Sequence, residues 1–208
     1  MQYDIQFKHF AHNLGRDNSE NAERNLNSFS FYREFCKRQI FLQKNKPILS
    51  KANPFIFRLD SLMKTFPDAK IIFIVRDPLE TIPSYFSMQE KIRFGSIMTE
   101  QELKFYQKET YKEIIDWYKE TEVAQDKLES KNFVVFTYQD LTENLEKTIK
   151  QFFTFSNQKM TKEFEKILKK TISKKYVKKH QNKTVSDFGL SDKKIRRDFD
   201  VVYDKYFN

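Results

Sequence analysis

The stretch FPDAKIIFIVRDPLETIPSYFS, residues 66–87, sets an unbroken apolar run directly against an arginine and an aspartate. Residues 70–75, KIIFIV, lack the alternation of a half-exposed strand, so both faces are expected to be covered, as in a parallel sheet with helices on each side. Asp77, Pro78 and Glu80 then supply an N-cap, a first-turn proline and an acid at the third helical position, a capping-box arrangement that starts a helix. This order places Arg76 at the carboxyl edge of the sheet, where ligands of α/β proteins sit. Its guanidinium is a permanently charged fork matched to two oxygens of a phosphate, and the new helix brings its positive end to the same place. Ser84 lies about two turns into that helix and offers a hydroxyl. The plainer alternative is that Arg76 pairs with Asp77 or with a carboxylate on a neighbouring loop, and that Ser84 only fills a helix face. Pro83 weighs toward a site, because an interior proline costs about 3 kcal/mol in an ordinary helix.

Upstream, residues 1–28 are polar and read as a loose or weakly helical lead-in. SFSFYREFCKRQIFLQ, 28–43, places Phe31, Phe35, Cys36, Ile40 and Phe41 at helical spacing. KPILSKANP, 46–54, reads as a short strand ending near Lys51, and FIFRLDSLMKTF, 55–66, as a helix that stops before Pro67. Downstream, a helix is expected over 99–122, with Leu103, Tyr106, Ile114, Trp117 and Tyr118 as its apolar stripe. NFVVFTYQDL, 132–141, reads as a third strand with a cap-like turn, and ENLEKTIKQFFTF, 143–155, as the following helix. Strands alternating with helices argue for an α/β fold: one domain over 1–208 with a parallel sheet flanked by helices and right-handed crossovers. Residues 159–197 hold fourteen Lys or Arg against four acids, and Phe164, Ile167, Leu168 and Ile172 keep helical spacing within this basic face. DFGLSDKKIRRDFDVVYDKYF, 187–207, reads as a turn and a last amphipathic helix.

Composition bounds the chemistry. With 39% hydrophobic residues and 22 phenylalanines in 208 residues, the chain has enough apolar surface to fold. The formal charge of +9 points to an anionic partner without choosing among nucleic acid, membrane and small polyanion. No nucleic-acid motif accompanies that charge, so no specific nucleic-acid partner is expected. A single cysteine, Cys36, excludes an internal disulfide and argues against a cysteine-based metal site. No apolar run approaches a membrane span and the start MQYDIQFKHF lacks a signal peptide, so a cytoplasmic location is expected. The three glycines, Gly15, Gly95 and Gly189, lie far apart, so a glycine-clustered phosphate loop is excluded within these residues. A phosphate site must therefore use side chains and helix ends.

On these residues the chain resembles sulfotransferases that use 3′-phosphoadenosine 5′-phosphosulfate (PAPS). The likeness is carried by an apolar strand, Arg76, Asp77, Pro78 and Ser84 eight positions beyond the arginine. The resemblance implies a P-loop NTPase-like sulfotransferase fold, incomplete at its N-terminus, and assigns the nucleotide 3′-phosphate to Arg76 and Ser84. PILSKANPFIFRLDSLMKTFPDA, 47–69, is similar to bacterial-type members in which a strand ending Ser-Lys precedes a helix containing arginine. VVFTYQDL, 134–141, is similar to the family's Tyr-Glu-Asp-Leu strand end, which implies that Tyr138 lies near the adenine, and DFGL matches a common C-terminal segment. The likeness runs from about residue 29 to the end.

Sulfuryl transfer needs cations at the oxygens that carry charge and a base for the acceptor. The resemblance implies Lys51 as the catalytic cation, and Lys179, with Lys178 and Lys183, as basic residues near the nucleotide or an anionic acceptor. In cytosolic relatives a histidine follows two positions after the lysine and acts as the base, whereas here the position holds Asn53. His9, His12 and His180 lie in polar surroundings and do not replace it. The expectation is therefore a PAPS-dependent transferase with PAPS and its desulfated product as ligands, no metal, and a hydroxyl or amine acceptor. The alternative is a non-catalytic nucleotide-binding remnant or one half of a split sulfotransferase. The sequence sets neither the acceptor nor the oligomeric state.

Overall fold

A computed structural model describes residues 16–18, 20–94, 99–173 and 183–207. The chain divides into two units, residues 1–69 and 70–208.

In the first unit, helix α1, Ala22–Leu42, buries Asn25, Phe29 and Cys36. Part of the lead-in expected to be loose or weakly helical is thus regular helix. The inward stripe also differs from the expected one, since Phe31, Phe35 and Phe41 are exposed. Asn25, Phe29 and Cys36 recur at i, i+4 and i+11, and rings at 31 and 35 fall on the other side of the cylinder. A 3-10 turn, Asn53–Arg58, leads into α2, Leu59–Thr65, which ends before Pro67 as expected. Arg58, at the N-cap of α2, gives no side-chain cap. Asp17 supplies it from a distance: the Ser61 N–H and hydroxyl donate to its carboxylate at 2.9 and 2.6 Å, and the Asn25 amide at 2.9 Å. Phe29, Tyr32, Phe55 and Phe66 close the unit with edge-on ring contacts.

The strand expected within 46–54 does not form. Residues 46–52 carry no regular structure, and Ile48 and Leu49 are exposed. A strand exists only through hydrogen bonds to a neighbour, and the ladder among the described residues has two strands, neither of them here.

The second unit is built on that ladder. Strands β1, Ile71–Val75, and β2, Phe133–Thr137, run parallel, with Ile71 opposite Phe133 and Val75 opposite Thr137. A parallel pair requires a long crossover, provided by α3, Pro78–Met88, and α4, Glu100–Lys127. Thr99 and Glu102 form a capping box that starts α4. Strand β1 is not covered on both faces as its apolar run suggested: Val75 is buried against Ile82, Phe86, Ile114 and Tyr118, whereas Ile74 is half exposed. Successive strand residues point to opposite faces, and only one face of β1 meets this core.

After β2 come α5, Tyr138–Glu143, α6, Leu145–Phe155, and α7, Lys162–Ile172. Of the expected α7 stripe Leu168 is buried, and Phe164, Ile167 and Ile172 are exposed. A 3-10 turn, Val185–Phe188, ends at Gly189 with φ +69°, in the left-handed region that favours glycine. The expected last helix is two helices, α8, Asp192–Asp198, and α9, Asp200–Tyr206. They break at Phe199, whose ring is buried against Tyr111 and Tyr118. No helix among the described residues is long and apolar enough to cross a membrane.

Candidate functional site at the carboxyl ends of the strands

Because Val75 pairs with Thr137, the next residues of the two strands, Arg76 and Tyr138, emerge level with each other at the sheet edge. The Arg76 guanidinium lies over the Tyr138 ring, 4.8 Å from its centroid. Two helices begin at the same place. Asp77 caps α3 by accepting from the Leu79 N–H at 2.8 Å, and Thr137 and Asp140 form the capping box of α5. Between them is a cleft of about 270 Å³, with Arg76, Glu80, Tyr138, Thr142, Glu143 and Phe207 in its walls.

Arg76 is paired, as the plainer alternative held, but with a carboxylate of the helix that follows it rather than with Asp77 or a neighbouring loop. Arg76 is engaged through Nε by Glu80, four residues on, at 3.0 Å. Glu80 is nearly half exposed, so this pair is worth about 1 kcal/mol or less. The cleft accordingly carries one guanidinium against the carboxylates of Asp77, Glu80 and Glu143. An incoming phosphate has to compete with Glu80 for the arginine.

Two buried phenols brace this corner, one at the backbone of Arg76 and one at the Asp77 carboxylate, and local sequence signals pointed to neither role. Tyr118, on α4, donates to the main-chain oxygen of Arg76 at 2.5 Å and shares a hydrogen bond with Thr81 at 3.1 Å. Tyr203, on α9, donates to Asp77 at 2.6 Å. Burial pushes the Tyr118 phenol up to about 12, and burial together with Asp77 raises Tyr203, so both remain protonated donors at neutral pH. The aromatic spacing of α4 marked Tyr118 as core; its hydrogen bond depends on a chain reversal that no local pattern encodes.

None of the other expected site residues that the structure describes is among those lining this cleft. Ser84 is half-buried along α3 and is not among the residues lining the cleft. Lys51 is exposed in the first unit, just before the 3-10 turn. Lys178, Lys179, His9, His12 and His180 lie outside the described residues. Lys183 donates to Glu90 at 2.7 Å and sits over the Phe188 ring. Among the described residues no group of His, Cys, Asp and Glu is arranged to hold a metal ion.

A guanidinium over a flat ring at a sheet edge can receive a phosphate on one side and a planar base on the other. A crystal structure of the sulfotransferase STF1 from Mycobacterium tuberculosis superposes with a TM-score of 0.53 at 20% identity, covering 70% of this chain and 37% of that one. This likeness establishes the fold. The omega-hydroxy-beta-dihydromenaquinone-9 sulfotransferases Stf3 of Mycobacterium bovis and Mycobacterium tuberculosis are each 22% identical over 114 residues. That match takes in 55% of this chain and 29% of each relative, so the matched part is under a third of the curated proteins' length. The sequence profile of the sulfotransferase family matches residues 2–162, most of the chain, including both strands and every cleft residue named above except Phe207, and the chain belongs to that family.

Proposed function

We propose that this chain carries the nucleotide-binding part of a sulfotransferase that moves a sulfuryl group from PAPS to a hydroxyl or amine acceptor. The observation that carries the reading is the level emergence of Arg76 and Tyr138 from paired strands, guanidinium against ring, beside a cleft. Arg76 takes the 3′-phosphate and Tyr138 lies against the adenine; Ser84, on α3 outside the cleft lining, is the second donor that the family resemblance implies. Lys179 adds positive charge near the nucleotide, and Lys51 neutralises charge on the group in transit. In the transfer the acceptor oxygen or nitrogen attacks sulfur, the bond from sulfur to the 5′-phosphate oxygen breaks, and the acceptor proton is lost. The names of the relatives place their acceptor on an omega-hydroxy compound, so a hydroxyl is the first acceptor class to test.

Calorimetric titration with 3′-phosphoadenosine 5′-phosphate tests the assignment. Arg76→Ala is expected to weaken binding about ten- to hundredfold, the loss of charge-assisted hydrogen bonds to a phosphate. Equal affinity in both proteins, or no binding in either, overturns it. A nucleotide-binding chain without turnover of its own is the second reading, favoured by three widely separated glycines where a 5′-phosphosulfate loop needs a cluster. Binding together with absent transfer of labelled sulfate to phenols, sugars and tyrosine peptides selects it.

A further inference from the structure

Helix α1 is apolar on two opposite sides. One side, with Phe29 and Cys36, fills its own unit. On the other, Phe31, Phe35 and Leu42 follow at i, i+4 and i+11, with Phe31 74% and Leu42 66% exposed. Phe41, 81% exposed, adjoins this stripe, and the irregular segment after the helix adds Ile48 and Leu49, the latter 84% exposed. Side chains this large and this open, gathered within nineteen consecutive residues, exceed the scattered apolar exposure of an ordinary surface.

The charge around them has one sign. Between residues 31 and 49 stand Arg33, Lys37, Arg38, Lys44 and Lys46, all exposed, against a single acid, Glu34. That acid is already engaged by Lys37 at 2.8 Å. Arg38 falls within the apolar stripe itself, at i+7 from Phe31. An exposed aromatic and aliphatic face set among cations complements a surface that offers hydrocarbon beneath a layer of negative charge. Nucleic acid would use the cations and the rings but gains nothing from Leu42, Ile48 and Leu49. A second copy would bring the same cations face to face across a two-fold contact.

We infer that residues 31–49, the C-terminal half of α1 and the segment after it, form a docking surface for an anionic phospholipid bilayer. The phenylalanines and leucines enter the headgroup boundary, and the lysines and arginines meet the lipid phosphates. The test of this surface does not involve nucleotide.

The experiment is co-sedimentation of the chain with large vesicles of phosphatidylcholine alone and of equal parts phosphatidylcholine and phosphatidylglycerol. Phe41→Ser/Leu49→Ser alters two exposed apolar positions, and Arg38→Glu/Lys46→Glu alters two exposed basic ones, with circular dichroism and thermal melting confirming that each variant folds. The wild type is expected on the phosphatidylglycerol vesicles and not on the neutral ones. Each double variant is expected to bind about tenfold or more weakly, and about 0.5 M salt to weaken the wild type strongly. Absence of wild-type binding to the anionic vesicles overturns the inference. So does binding that survives Phe41→Ser/Leu49→Ser, because the charge of the whole chain then suffices. A concentration-dependent dimer that the same variant abolishes, without vesicle binding, reassigns the surface to a second copy.

Discussion

Replacing Glu80 by glutamine removes the carboxylate that holds Arg76 while keeping a side chain of similar size at the third position of α3. The ion pair is short, 3.0 Å, but its acid is 45% exposed and its base 26%, so releasing it frees about 0.5–1 kcal/mol. A dianionic phosphate seated on the arginine would stand about 6 Å from that carboxylate, and their repulsion in a near-aqueous dielectric opposes binding by about 1 kcal/mol. The two effects have the same sign. Glu80→Gln is therefore expected to bind 3′-phosphoadenosine 5′-phosphate about ten- to thirtyfold more tightly, from about 1.5–2 kcal/mol. Titration calorimetry reads this directly, with adenosine 5′-phosphate as the control: the gain belongs to the 3′-phosphate and is expected to vanish without it. Unchanged affinity for both nucleotides means that the phosphate does not reach Arg76. Weaker binding means that Glu80 orients the guanidinium instead of competing for it, and either result refutes the reasoning.

Three further outcomes follow from the hydrogen bonds. Tyr118→Phe strips the Arg76 carbonyl of its buried donor and is expected to lower stability by about 1–2 kcal/mol in chemical denaturation, while weakening nucleotide binding through a displaced Arg76 backbone. Asp17→Ala removes the carboxylate shared by Ser61 and Asn25, and is expected to destabilise the first unit by about 2–4 kcal/mol, read as loss of amide-exchange protection in α1 and α2. Asp198 is partly buried, which opposes its ionisation, but hydrogen bonds from Lys194, Tyr111 and Arg197 outweigh this and hold its carboxyl below the ordinary value of 3.8. A depressed carboxyl stabilises the fold above its unfolded value and loses that contribution as pH falls through the folded one. Melting temperature is thus expected to drop below about pH 4, and Asp198→Asn to show a shallower drop with lower stability at neutral pH.

Local signals in the chain were enough for the elements that position the cleft. Asp77-Pro78 announced α3, an apolar run bounded by Lys70 and Arg76 announced β1, and Thr-x-x-acid patterns at Thr99 and Thr137 match observed capping boxes. These depend on a residue and its neighbours within one helical turn, so the order of residues suffices to specify them. The pairing of Arg76 with Glu80 was within reach as an i, i+4 contact, yet the same carboxylate suited a capping box, and spacing alone did not choose between them.

Tertiary structure decided the rest. The strand expected near Lys51 has no ladder, because strand formation depends on a hydrogen-bonding neighbour distant in sequence. The periodic phenylalanines of α1 marked a helix but not its buried side, which Asn25, Phe29 and Cys36 took once Asp17 tied that helix to α2. Tyr138 came to lie under Arg76 through the register of two strands separated by a helical crossover, and Tyr118 and Tyr203 reached the same corner from α4 and α9. Each is a contact between residues far apart along the chain, whose geometry exists only after the crossover closes.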